Sequence, residues 1–98
     1  AEYAKKSFGM FRGEEYQVKL RVGNHLAGVI IDRFGKDVMM IPVDEEHFTV
    51  NVNVHVSKQF LAWVISIGEG IEILSPEEVV QNMRREIERL NRQYHIEK

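Results

Sequence analysis

The chain has 98 residues, 13 basic against 15 acidic, no cysteine, and 44% hydrophobic residues. That length supports one domain with a single core, and the near-neutral charge gives no global field favouring nucleic acid or an acidic membrane surface. Without cysteine there is no disulfide framework, no thiolate metal site and no catalytic thiol. The longest apolar runs, such as 38–43, are far too short to span a bilayer, and no signal-peptide pattern opens the chain, so a soluble cytoplasmic domain is expected.

Residues 1–13 carry Tyr3, Phe8, Met10 and Phe11 among lysines and two glycines. They are too apolar for a free tail and too glycine-broken for a helix. They are therefore read as a connector, with the domain proper at 14–98. A first strand is expected at about 15–22, with Tyr16, Val18, Leu20 and Val22 facing in and Gln17, Lys19 and Arg21 facing out. Gly23-Asn24 turns the chain, and the Asn24 side chain is expected to cap a helix. In that helix Leu26, Ala27, Ile30, Ile31 and Phe34 fall at helical spacing, and Gly35 supplies the stop.

A second strand at about 37–42 is apolar almost throughout, and Pro42, lacking a ladder donor, places it at a sheet edge. Asp44-Glu45-Glu46 reads as the hairpin turn into the strongest signal in the chain, 48–56. There Phe48, Val50, Val52, Val54 and Val56 alternate with Thr49, Asn51, Asn53 and His55. Period two over that length, rich in β-branched residues, predicts a half-buried strand in the middle of a sheet.

Ser57 is expected to cap a second helix carrying Phe60, Trp63, Val64 and Ile67 on one stripe, ended by Gly68 and Gly70. A short fourth strand follows at 71–74. Ser75-Pro76-Glu77-Glu78 then combines a Ser cap, a proline at the first helical position and acidic residues placed for a capping box. The last helix shows Val79, Val80, Met83, Ile87, Leu90 and Tyr94 on one stripe, with Arg84/Glu88 and Glu88/Arg92 at ion-pair spacing.

Strand, helix, strand, strand, helix, strand and an additional C-terminal helix give an α+β, ferredoxin-like βαββαβ antiparallel sheet. Right-handed crossovers put strands one and three side by side in the centre and both helices on one face. The other face then presents Gln17, Lys19 and Arg21 beside Thr49, Asn51, Asn53 and His55. It offers no outward aromatic on the two central strands on which a base could stack, which argues against RNA recognition on that sheet.

His25, His47, His55 and His95 sit on separate elements without metal-ligand spacing, so no metal and no cofactor is expected. There is no phosphate-binding glycine loop, and no serine has the context of an activated nucleophile. Trp63 reads as core, and the arginines of the last helix are diluted by glutamates. Nothing assembles acid, base and nucleophile, so the chain is read as a non-catalytic module.

Several segments together point to a family. They are Ala1-Glu2-Tyr3-Ala4-Lys5-Lys6, Phe8-Gly9-Met10-Phe11-Arg12-Gly13, Val29-Ile30-Ile31-Asp32-Arg33-Phe34-Gly35, Asp44-Glu45-Glu46-His47-Phe48 and Ile73-Leu74-Ser75-Pro76-Glu77-Glu78-Val79, with the helix start Ser57-Lys58-Gln59-Phe60-Leu61-Ala62-Trp63. This set resembles the WCX domain, the C-terminal extension of bacterial WYL-domain transcriptional regulators.

The resemblance implies a ferredoxin-like fold and an upstream winged helix-turn-helix and WYL domain in the same protein, with residues 1–13 as the junction. It also implies DNA contact only through that missing N-terminal domain, and a part in effector sensing. Lys19, Arg21 and His55 are the ligand-binding candidates, chosen by their place on the open face. Phe8, Met10, Phe11, Met39 and Met40 are the candidate interface of a homodimer built from the connector, the second strand and the last helix. The alternative is a standalone small-molecule or single-stranded nucleic-acid binder using the open sheet face.

Overall fold

The computed structural model describes residues 14–95. Four strands, β1 (Glu15–Gly23), β2 (Met40–Pro42), β3 (His47–His55) and β4 (Ile71–Ser75), form one sheet in the order β2-β3-β1-β4, antiparallel throughout. Three helices, α1 (Ala27–Phe34), α2 (Lys58–Ile67) and α3 (Glu77–Tyr94), complete the order expected of a ferredoxin-like α+β domain with an added helix.

Alternation builds the core. Tyr16 pairs with Val54, Val18 with Val52, Leu20 with Val50 and Val22 with Phe48, so the inward residues of the two central strands lie opposite one another. All but Tyr16 are buried, and Ile30 of α1, Phe60, Leu61 and Val64 of α2 and Val79 of α3 close over them. Each such side chain contributes about 1.5–3 kcal/mol relative to leaving it exposed.

Trp63 packs against the core without being fully enclosed by it. It is half-buried in the seam between the helices, with its ring edge-on to Phe34 at 5.5 Å, offset over Phe60 at 6.3 Å, and under the Arg33 guanidinium at 5.8 Å. The core itself is filled by Phe60, one turn earlier.

Four local expectations are corrected. The second strand is only Met40–Pro42, because Gly35 at φ +95° and a turn closed by Val38 N–H on the Gly35 carbonyl take up the residues before it. Asn24 does not cap α1. The chain passes through a 3-10 turn at Asn24–Leu26, Leu26 stands at the helix start, and the Asn24 amide donates instead to the Glu45 carbonyl at 3.0 Å.

Ser75 does not cap α3 either. It is the last residue of β4, opposite Lys19, and Pro76 holds the N-cap in an extended conformation. The Pro76 carbonyl accepts from the N–H groups of Val79 and Val80. Glu77 and Glu78 still place negative charge at the positive end of the helix dipole. Along α3 the ion pair formed is Glu86 with Arg89, in place of the pairs suggested by four-residue spacing, and Arg89 also donates to Gln93 at 2.6 Å.

Candidate functional site

The open face of the sheet can be read row by row from the register. Ile41, Thr49, Arg21 and Glu72 form one row across all four strands, Asn51 and Lys19 the next, then Asn53 with Gln17 and His55 with Glu15. Arg21 lies within 3.8 Å of both Asp44 and Glu72, so its charge is already met on either side. Such exposed pairs add little stability, but they neutralise the cation for an incoming anion. Thr49, in the same row, is only 7% exposed although it faces the open side.

The three ligand candidates share this face without converging. Lys19 is exposed and central, Arg21 is engaged by two carboxylates, and His55 ends β3 opposite Glu15. At about 3.4 Å per residue, His55 stands roughly 20 Å along the strand from the row that holds Arg21. They form a polar track instead of a pocket.

Of the interface candidates, Phe8, Met10 and Phe11 lie outside the described residues. Met39 and Met40 point opposite ways, as neighbours in an extended chain must. Met39 is 72% exposed, while Met40 is half-buried and packs against the core. Ile41 and Val43 join Met39 as exposed apolar side chains, one residue apart in the alternation, so the open face has an apolar margin along β2.

The sheet also ends in a depression of about 320 Å³ that sequence reasoning missed. It is lined by Gly23, Asn24, His25, Glu45, Glu46, His47 and Gly70. Three loops meet there because backbone bonds join them: Gly23 N–H to the Gly70 carbonyl at 2.7 Å, and Asn24 N–H to the Glu46 carbonyl at 2.8 Å. The His25 ring lies over two glycines; a Cβ on Gly23 would stand 2.8 Å from its Cε1, and one on Gly70, at φ +100°, 3.2 Å. Gly-Asn-His after one strand and Glu-Glu-His before another were visible in the sequence. Their meeting was not, because it depends on the sheet order.

At the rim, Asp44 Oδ1 accepts from the Glu46 N–H at 2.8 Å and faces His47 Nδ1 at 2.9 Å. The Glu46 N–H first, and the His47 ring second, hold the Asp44 carboxyl below its usual range. The lining holds two imidazoles and two glutamates but no hydroxyl or amine side chain to act as a nucleophile. Among the described residues no three His, Asp or Glu side chains are grouped to hold a metal ion, and no helix is long and apolar enough to cross a membrane.

No curated protein matches the chain. The WCX domain family matches residues 14–90, the stretch from just before β1 to near the end of α3. That match spans over three-quarters of the 98 residues and takes in every strand of the ferredoxin-like sheet, and the chain belongs to the WCX domain family.

Proposed function

We propose that this chain is the C-terminal regulatory and oligomerisation domain of a bacterial WYL-type transcriptional regulator, non-catalytic and contributing to effector sensing in the cytoplasm. The observation that carries this reading is the WCX match over 14–90. DNA contact then belongs to an upstream winged helix, and the main effector site to an upstream WYL domain. This domain supplies surface to both tasks: the polar track of Lys19, Arg21 and His55 toward an effector, and the apolar margin at Met39 toward a neighbour. A two-fold dimer suits a regulator that reads paired half-sites.

A standalone binder on the open face is less well supported. Arg21 is held between Asp44 and Glu72, and Lys19 and His55 do not converge with it on a pocket. Light scattering over a concentration series, run beside anisotropy titrations with duplex DNA, single-stranded oligonucleotides and nucleotides, tests the proposal. Expected are self-association and no duplex binding. A chain that stays monomeric and binds single strands, with the affinity lost in Lys19→Ala, overturns it in favour of the standalone binder.

A further inference from the structure

Four ionisable side chains run in a line from the β2–β3 turn across the sheet. His47 Nδ1 stands 2.9 Å from Asp44 Oδ1 and 3.2 Å from Oδ2. Oδ2 in turn lies 3.8 Å from one guanidinium nitrogen of Arg21, and another nitrogen of that group lies 3.8 Å from Glu72. Asp44 therefore serves two partners at once, an imidazole on the rim of the depression and a cation of the open face. The other ionisable groups about His47 are Glu45 and Glu46 of its own turn and His25 across the depression. Lys19 precedes Arg21 by one repeat of the alternation on β1, so it shares the face and stands about 7 Å along the strand.

We propose that His47 is a pH-sensitive switch on the open face: its protonation loosens Arg21 from Asp44, and Arg21 and Lys19 then take an oxyanion of the phosphate or sulfate kind. The inference rests on the reading of Lys19 and Arg21 as effector-facing and adds its control.

Charge gives the sign. Lys19 and Arg21 balance Asp44 and Glu72 while the imidazole is neutral, and a proton on His47 leaves the set with a net positive charge. Imidazole is the side chain whose charge ordinarily changes between about pH 5 and 8. Asp44 stays ionised through that range, because the Glu46 N–H and then the His47 ring hold its carboxyl low. The imidazolium offsets the carboxylate's pull on the guanidinium and repels the guanidinium itself, and both effects free Arg21 for another anion. Linkage makes this reciprocal, so an anion bound at Arg21 draws a proton onto His47. The groups are partly exposed, which keeps the coupling to about two- to five-fold in affinity.

Pyrenetetrasulfonate, a fluorescent anion whose own charge does not change over the imidazole range, is titrated into the chain in low salt at about pH 5.5 and about pH 7.5. Circular dichroism confirms that each variant is folded. Expected for the parent is binding about two- to five-fold tighter at the lower pH. Two variants should lose most of that dependence in opposite directions. Asp44→Asn binds at the higher pH as tightly as the parent does at the lower, and His47→Gln, which keeps a neutral donor beside Asp44, binds weakly at both. Calorimetry in buffers of different ionisation enthalpy should show proton uptake on binding by the parent and little by either variant. Equal binding at the two pH values overturns the switch alone. So does a dependence that survives in His47→Gln and disappears in His55→Gln, at the far end of the track. No binding at either pH overturns the effector-facing reading and the switch with it.

Discussion

His47 and Asp44 close the β2–β3 turn on each other, the imidazole Nδ1 standing 2.9 Å from Oδ1 and 3.2 Å from Oδ2 of the carboxylate. An ionised carboxylate only accepts, so Nδ1 carries the proton in this contact. Asp44 is also the acceptor for the Glu46 N–H, and these bonds depress its pKa in the fold. A depressed carboxylate contributes stability that is fully present above its unfolded value, near about 3.9, and is lost as pH falls through the folded value. Asp44→Asn is therefore expected to be less stable than the parent at pH 6, with the difference shrinking toward zero as pH falls through the depressed folded value of Asp44. Urea unfolding of both chains across that range checks this, and a difference independent of pH would refute it.

Trp63, on α2, meets Phe34 of α1 edge-on and packs against the core beside Phe60. Half-buried, it is worth less than a fully enclosed ring. Trp63→Ala is expected to cost about 3 kcal/mol, the low end for such truncations, and Trp63→Phe about 1 kcal/mol because the contact with Phe34 survives. Equilibrium urea unfolding gives both values. Equal losses for the two variants would mean that the aromatic contact contributes nothing.

The two serines that precede helices separate cleanly. Ser57 Oγ accepts from the Phe60 N–H at 3.4 Å and stands at the N-cap of α2, whereas Ser75 is spent in β4 and makes no cap. Ser57→Ala is expected to cost about 0.5–1 kcal/mol and to raise amide exchange at residues 59–61. Ser75→Ala is expected to leave exchange at 77–80 unchanged. Faster exchange at 77–80 in Ser75→Ala would restore that serine as a cap.

Two glycines are expected to respond with opposite sign. Gly70 sits at φ +100°, and a Cβ there would come within 3.1 Å of Leu26 and 3.2 Å of His25. Gly70→Ala should destabilise by about 1–2 kcal/mol. Gly28 lies in α1 with nothing within 4 Å of a built Cβ, so Gly28→Ala should stabilise by about 0.5–1 kcal/mol. Thermal unfolding of the pair decides it; a stabilised Gly70→Ala would show that the turn relaxes.

The alternation over β1 and β3 and the stripe along α2 were enough, from sequence, to say which residues meet the core and in what order the elements come. Side-chain direction follows from the period of the backbone, two in a strand and 3.6 in a helix, whatever the partners are. The open-face positions of Lys19, Arg21 and His55 came with it, and so did the hairpin turn at Asp44. The connections of polar ends were decided only in three dimensions. Asn24 and Ser75 carry strong local cap signals, yet one bonds a carbonyl 21 residues away and the other completes a strand. The depression between His25 and His47 and the two carboxylates beside Arg21 are of the same kind. Each depends on which loops and helix ends the sheet order brings together, and a hydrogen bond or apolar contact between distant residues leaves no period in the chain to read.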